Sequence, residues 1–441
     1  MSSLPVGETT TSEALNPRAF RRIVALVTIG NVLEWFDFSV YAVVAVYIAA
    51  TFFNTSDPIA ALLPTFAIFG AAFLARPLGA VVLGRLMDRR GRKSVMLISM
   101  FLMAGGSVLI GVAPGYAAIG VAGAVIVVIG RLLQGFSAGG EFGSSAVFLS
   151  ESANRGRRGF YTSFSQVATS AGLILGLLFA FALTALLGAG SMAAWGWRVP
   201  FVFGGILAVV VFVLRRRMGE SPAFVALQAR GEGAATQEPD AAKDSGDVRS
   251  FLLNLGVVCL WTMAAFITLN YMPTYAVTFA KADQQSALIA TLFGAALTVV
   301  LIPVAGMLSD RFGRRPLLII GAVGYVVLAY PAFSLLLSMQ SLIGLIVFQL
   351  IMAPLYAIVA GVGPATITEL YGTRRRGSLV STASAVATAL AGGFAPYIST
   401  WLIQVTGNTI APAFYLIAGA LVSLVAAVFL PKRIGLDDLR E

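Results

Sequence analysis

Apolar residues recur along this chain in runs of about 20 residues or more, separated by short polar stretches. A helix rising 1.5 Å per residue needs a run of that length to cross about 30 Å of hydrocarbon. Twelve such runs are discernible, over 23–50, 58–84, 94–113, 117–150, 160–188, 196–214, 251–279, 284–307, 317–338, 341–368, 379–404 and 409–430. The pattern predicts an all-α integral membrane protein with twelve transmembrane helices.

Composition agrees with that pattern. Of 441 residues, 58% are hydrophobic and 11% charged, where a soluble domain carries roughly 25% charged residues. The net charge of +10 invites a nucleic-acid reading, but its placement excludes one. Twenty-six of the thirty Lys and Arg lie in the two tails or in the loops 85–93, 151–159, 215–250, 308–316 and 369–378. The intervening loops hold only Arg198 and Lys281. This positive-inside asymmetry predicts that both termini are cytoplasmic. Residues 1–20 are Ser/Thr-rich without an apolar centre, and are expected to be a tail and not a signal peptide. The single cysteine, Cys259, rules out an intrachain disulfide. With no histidine in the chain, proton handling falls to carboxylates and a His-ligated metal site is excluded. No cofactor is implied.

The chain repeats itself. GRLMDRRGRK (84–93) returns as GMLSDRFGRR (306–315) at an offset of 222 residues, and ESANRGRRG (151–159) as ELYGTRRRG (369–377) at 218. Two pairs at nearly equal offsets indicate a duplicated unit of six spans, the common plan of secondary transporters. The expected organisation is a tail over 1–22, one six-helix bundle over 23–214, a polar linker over 215–250, a pseudo-symmetric second bundle over 251–430 and a tail over 431–441. In each duplicated loop a glycine permits a tight turn and an Asp can accept from backbone N–H groups or pair with the following arginines. Asp88, Arg89, Arg92 and Glu151 in one half, with Asp310, Arg311, Arg314 and Glu369 in the other, are the candidates for a cytoplasmic gate. The alternative is that the basic residues serve only as topology anchors.

These duplicated loops resemble the signature of the major facilitator superfamily. Together with NVLEWFDFSVYA (31–42), RPLGAVVLGRLMDRRGRK (76–93), RLLQGFSAGGEFGSSAVFLSE (131–151), WGWRVPF (195–201) and MPTY (272–275), they are similar to its metabolite:proton symporter family along essentially the whole chain. Members carry citrate and tricarballylate, 2-oxoglutarate, shikimate, or the osmolytes proline and betaine. The resemblance implies proton-coupled uptake across a bacterial inner membrane and does not choose among these substrates.

Five ionisable residues fall inside predicted spans: Glu34, Asp37, Arg76, Arg131 and Glu141. All belong to the first half, and charges at membrane depth are costly enough to mark function. At 1.5 Å per residue, Glu34 and Arg131 are expected near the midplane, with Asp37 somewhat outward and Arg76 toward the cytoplasm. Glu34, Asp37 and Tyr41 share a helical face through their i, i+3, i+7 spacing. Asp37 is the first candidate for the proton carrier, Glu34 the second, and Arg131 the switching partner. Static ion pairing of these five is the alternative, chiefly for Arg76 and Glu141. Candidate substrate contacts are Arg131, Arg76, Tyr41, Gln134, Gln166, Tyr271, Tyr275 and Gln349, with Ser170, Asn270 and Tyr356 beside them. The glycines of GFSAGGEFGSS (135–145) lack the GK[ST] ending of a phosphate loop, and are expected to pack helices. Pro354, Pro364 and the Gly392–Gly393–Pro396 group are expected to bend theirs.

The function expected is symport of a small organic acid such as a di- or tricarboxylate with a proton, by alternating access, in a lipid bilayer and as a monomer. A zwitterionic osmolyte is the alternative substrate, with Trp35 or Tyr271 offering a cation–π wall; a proton-antiport exporter is a further alternative. An enzyme is disfavoured by the lack of a catalytic set, and ATP hydrolysis by the missing Walker loop.

Overall fold

The computed structural model describes residues 31–53, 57–90, 92–139, 146–147, 149–150, 153, 156–216, 245–371 and 376–431. Glu141, Glu151, most of the expected linker and nearly all of both tails lie outside the described residues, as do the side chains of Asp88, Arg89 and Arg92. Among the described residues the regular structure is entirely helical.

Among the described residues ten helices are long and apolar enough to cross a membrane, or eleven counting a bent pair, and Leu97–Val112 is a shorter apolar segment. Each falls on one of the predicted runs. The bent pair is α1, Asn31–Val43 followed by Ala45–Phe52, with a 61° bend at Val44. Then come α2 (Pro58–Arg90), α3 (Arg92–Val112), α4 (Val121–Ala138), α5 (Arg158–Ala194) and α6 (Val199–Arg216). Then α7 begins as Ser245–Ala265, widens into a π turn over Phe266–Tyr271 and resumes over Met272–Thr278. It is followed by α8 (Gln284–Phe312), α9 (Arg314–Met339) and α10 (Leu342–Glu369). The next span, α11, repeats the design of α7: Arg376–Ala387, a π turn over Thr388–Gly393, then Ala395–Thr406. Ala411–Phe429 is α12.

Burial is inverted relative to a soluble protein. Large apolar side chains such as Phe101, Leu186, Val300 and Ile343 face outward, where lipid is their solvent, while Glu34, Asp37, Arg76 and Arg131 are buried. Within the first six helices α2 packs on α4, and α3 on both α4 and α6. Within the last six, α10 packs on α8 and α9, and α12 on α7 and α9. The sets meet along α5 against α8 and α10, and along α2 against α11.

Small residues set the closest approaches. A Cβ at Gly135 would strike the carbonyl of Ala72, and one at Gly139 the carbonyl of Arg76, so α4 lies backbone to backbone on α2. Gly159 of α5 and Gly306 of α8 abut in the same way, each Cβ site running into the other's carbonyl oxygen. Between α8 and α9 the chain reverses at Gly313, whose φ of 87° is a conformation that a side chain would strain. Asp283 caps α8 by accepting from the Ser286 N–H at 2.9 Å, and hydrogen bonding from the Ser286 hydroxyl, then from its N–H, holds the carboxyl below the usual carboxylate range.

Candidate functional site

Tracing the buried charges outward from α1 separates them into two groups. Glu34 Oε1 accepts from Arg76 on α2 at 2.8 Å, with both side chains at most 6% exposed. The Arg76 guanidinium also lies over the rings of Phe38 and Phe73 at 4.6 Å each, and over Trp35 at 5.5 Å. One turn further along, Asp37 Oδ2 accepts from the Ser107 hydroxyl of α3 and from Gln134 Nε2 of α4, the latter at 3.3 Å. Its Oδ1 has no hydrogen-bond partner among the described residues and sits against Gly204 of α6, where any Cβ would collide with it.

Arg131 reaches Asp37 only through Gln134. Its Nη1 donates to Gln134 Oε1 at 2.9 Å, the Gln134 amide donates to Asp37, and no direct ion pair joins the two charges. Its guanidinium is fully buried over Tyr41 (4.4 Å), Phe38 (4.6 Å) and Phe69 (5.1 Å), with Nε and Nη2 unpartnered among the described residues. Phe38 therefore lies between the two cations as a shared aromatic surface. Cation–π attraction of about 0.5–2 kcal/mol per contact offsets part of their desolvation. Gln134 is the hub of the second group, bonding Asp37, Ser107 and Arg131 together. Gln134→Leu is expected to leave Asp37 and Arg131 each short of a buried partner and to lower stability by about 1–3 kcal/mol. Thermal unfolding in detergent reads this, and an unshifted midpoint would show that the network contributes nothing.

A cavity opens between the two sets of helices. Its wall holds Trp35 and Arg76 from the first helices, Gln166 and Thr169 from α5, Trp261, Thr262 and Phe266 from α7, Tyr356 from α10, and Ser381, Ser384 and Thr388 from α11. Arg76 is the charged member of this lining. Gln166 is held in place by the Trp261 indole, which donates to its Oε1 at 3.1 Å, while its Nε2 has no partner among the described residues. Both π turns border the space, through Phe266 and Thr388. Such wide turns occur frequently at functional sites.

Of the candidate contacts, Arg76, Gln166 and Tyr356 line this cavity. Arg131, Tyr41, Gln134, Tyr271, Tyr275 and Gln349 lie outside its lining. Tyr41 donates to the Thr65 carbonyl at 3.1 Å, Tyr271 pairs with Thr400 at 2.9 Å, and Tyr275 donates to the Thr409 carbonyl at 2.8 Å. Gln349 donates to the Thr268 carbonyl at 3.0 Å and packs against Gly294. Sequence reasoning did not single out Trp261, Ser384 or Thr388. A serine or threonine in a spanning helix commonly bonds its own preceding turn, so nothing in the sequence marks which ones face a cavity.

At the end carrying the basic loops, Arg314 donates to Asp310 Oδ1 at 2.8 Å and to Glu369 at 3.0 and 3.3 Å. Asp310 accepts in addition from the backbone N–H groups of Gly159 (2.7 Å) and Phe160 (2.9 Å). A carboxylate of α8 thereby caps the first turn of α5, across the seam. Arg311 is exposed and lies over its neighbour Phe312 at 5.4 Å, apart from this cluster. At the other end the sets touch through Thr274 and the Ala42 carbonyl (3.3 Å), and through the rings of Phe66 and Tyr271.

The sugar (and other) transporter family model matches residues 23–250 and 241–437. A citrate-proton symporter of Klebsiella pneumoniae is 37% identical over 407 residues, covering 92% of this chain and 91% of that relative. The alpha-ketoglutarate permease of Escherichia coli (strain K12) is 33% identical, covering 94% of each, and the proline/betaine transporter of the same strain 32%, covering 92% and 83%. Among solved structures, the xylose transporter XylE from E. coli, in a partially occluded inward open conformation, superposes with a TM-score of 0.75 at 21% identity, over 93% of this chain and 97% of that one.

Proposed function

The chain belongs to the sugar (and other) transporter family of the major facilitator superfamily and is a multi-pass membrane transporter, not an enzyme, and on that footing we propose that it takes up a small organic acid together with a proton. The observation that carries this reading is the double position of Arg76, bonded to Glu34 on one side and lining the central cavity on the other. A carboxylate entering the cavity competes with Glu34 for the same guanidinium. Glu34 releases it at least cost as the neutral acid, since an unpaired buried carboxylate is strongly unfavourable. One anion bound then brings one proton with it. Asp37, held by Ser107 and Gln134 away from the cavity, is the second candidate for the carrier.

The basic loops are assigned to the cytoplasm and the membrane to the bacterial inner membrane, where a proton falling through 100 mV supplies about 2.3 kcal/mol. The two sets of helices are assigned as rocking bundles about the cavity, giving alternating access, with the monomer as the working unit. The names of the citrate and alpha-ketoglutarate relatives favour a di- or tricarboxylate. One feature favours a zwitterionic osmolyte instead: Trp35, Trp261, Phe266 and Tyr356 give the cavity aromatic walls suited to a quaternary or secondary ammonium.

Currents from proteoliposomes on a solid support, challenged with citrate, tricarballylate, 2-oxoglutarate, shikimate, proline and betaine across a pH series, decide between them. An inward positive current for an acid, growing as external pH falls, is the expected result. A response to betaine or proline alone would replace the substrate class, and pH-independent currents would refute proton coupling.

A further inference from the structure

A second cavity lies among the first six helices, between α1, α3, α4 and α6. Glu34, Ser99, Met103, Ser137, Ala138 and Ala208 are in its lining. Ala138 also lines the central cavity. Between the two spaces stand Ala138, common to both, and the Glu34–Arg76 pair, of which Glu34 lines the inner cavity and Arg76 the central one. We infer that proton and substrate reach this ion pair from opposite sides, the anion from the central cavity onto Arg76 and the proton to and from Glu34 through the inner cavity. This rests on the symporter reading above.

The inner space is suited to the task. Ser99 lies seven residues from the start of α3 and Ala208 eight from the end of α6, so the cavity approaches the basic end to within about 10–12 Å. The Ser137 hydroxyl, which donates to the Ser99 carbonyl at 2.6 Å, and the Glu34 carboxyl give it polar partners for water. Among the described residues, charged groups near Glu34 include Arg76 from α2, Arg131 from α4 across Phe38, and Asp37 on its own helix. The residues that α3 and α6 contribute to the lining are uncharged. In the release step the O–H bond of Glu34 breaks, water in the inner cavity accepts the proton, and the carboxylate oxygen keeps the electron pair and returns to Arg76. Because the leaving anion occupies only the other cavity, neither passenger obstructs the other.

The test uses the full chain in vesicles containing a pH-sensitive dye, with citrate and 2-oxoglutarate as probes. Ala208→Leu fills the inner cavity with a group that cannot relay a proton, Ala208→Asn fills it with one that can, and Ser384→Leu obstructs the central cavity. In Ala208→Leu, internal acidification and pH-driven accumulation are expected to fall at least about tenfold, with exchange of labelled probe at equal pH held within about twofold. Ala208→Asn is expected to keep both, and Ser384→Leu to lose both. Full coupling in Ala208→Leu would overturn the separate route and leave the symporter reading intact. Loss of exchange in both Ala208 variants would equally overturn it, by showing a packing role. Wild-type exchange of a probe without acidification would overturn the two readings together.

Discussion

Glu34→Gln is expected to abolish accumulation driven by a pH gradient, by about a hundredfold or more, while exchange of substrate at equal pH continues. Removing one partner of a buried pair costs about 3–5 kcal/mol because the other charge is left uncompensated. Here the survivor is Arg76, over the rings of Trp35, Phe38 and Phe73 at the cavity wall. An anion in the cavity then becomes its best available partner. Substrate should bind more tightly and leave more slowly, so KM and the maximal rate fall together. Arg76→Gln should do the opposite and lose binding. Both are read by isotope flux into vesicles with and without a pH gradient. Undiminished accumulation in Glu34→Gln would move the proton to Asp37.

Releasing the contact between Asp310 and the start of α5 is expected to have the next largest effect. Asp310→Asn keeps the shape of the side chain but removes the charge that accepts from Gly159, Phe160 and Arg314 at once. Hydrogen bonds to a charged group contribute about 1.5–3 kcal/mol each. Even a partial loss should shift the balance toward the state open at the basic end by about 10–100-fold, since 1.4 kcal/mol is a factor of ten. Spin labels at Phe164 and Phe312, which are exposed on α5 and α8, report the change as a longer distance between the helices. An unchanged distance distribution would show that the cap decorates a seam already held by Gly159 and Gly306.

What could be read in advance follows from which physical signals are one-dimensional. Apolar run length is such a signal, so the ten or eleven spans among the described residues fall on predicted runs, and the loop glycine at 313 was legible because GMLSDRFGRR repeats an earlier loop. Burial is partly legible too: charges set within apolar runs are expected to face the protein interior, and Glu34, Asp37 and Arg131 are all buried. Azimuth is not. Counting along helices offered Arg131 as the partner for Glu34 or Asp37; in the structure Arg76 of α2 holds Glu34, and Arg131 reaches Asp37 through Gln134. The bend of α1 at Val44 had no Pro or Gly to announce it. The π turn of α11 ends on Gly392 and Gly393, three residues before Pro396, where a bend was expected, and that of α7 lies just before Pro273, which sequence reasoning did not single out.

Those π turns bear on how the cavity changes over evolutionary time. Deleting one residue from a spanning helix ordinarily turns everything beyond it by about 100° and exposes its buried face to lipid. A π turn already holds one residue more than a regular turn, so a deletion within Phe266–Tyr271 or Thr388–Gly393 would tighten the wide turn and leave the outer segments facing as before. At these two places, unlike anywhere else in α7 and α11, chain length itself is a variable that descendants of this sequence are free to alter. Shortening either turn would redraw the cavity wall while Tyr275 and Thr400 kept their faces.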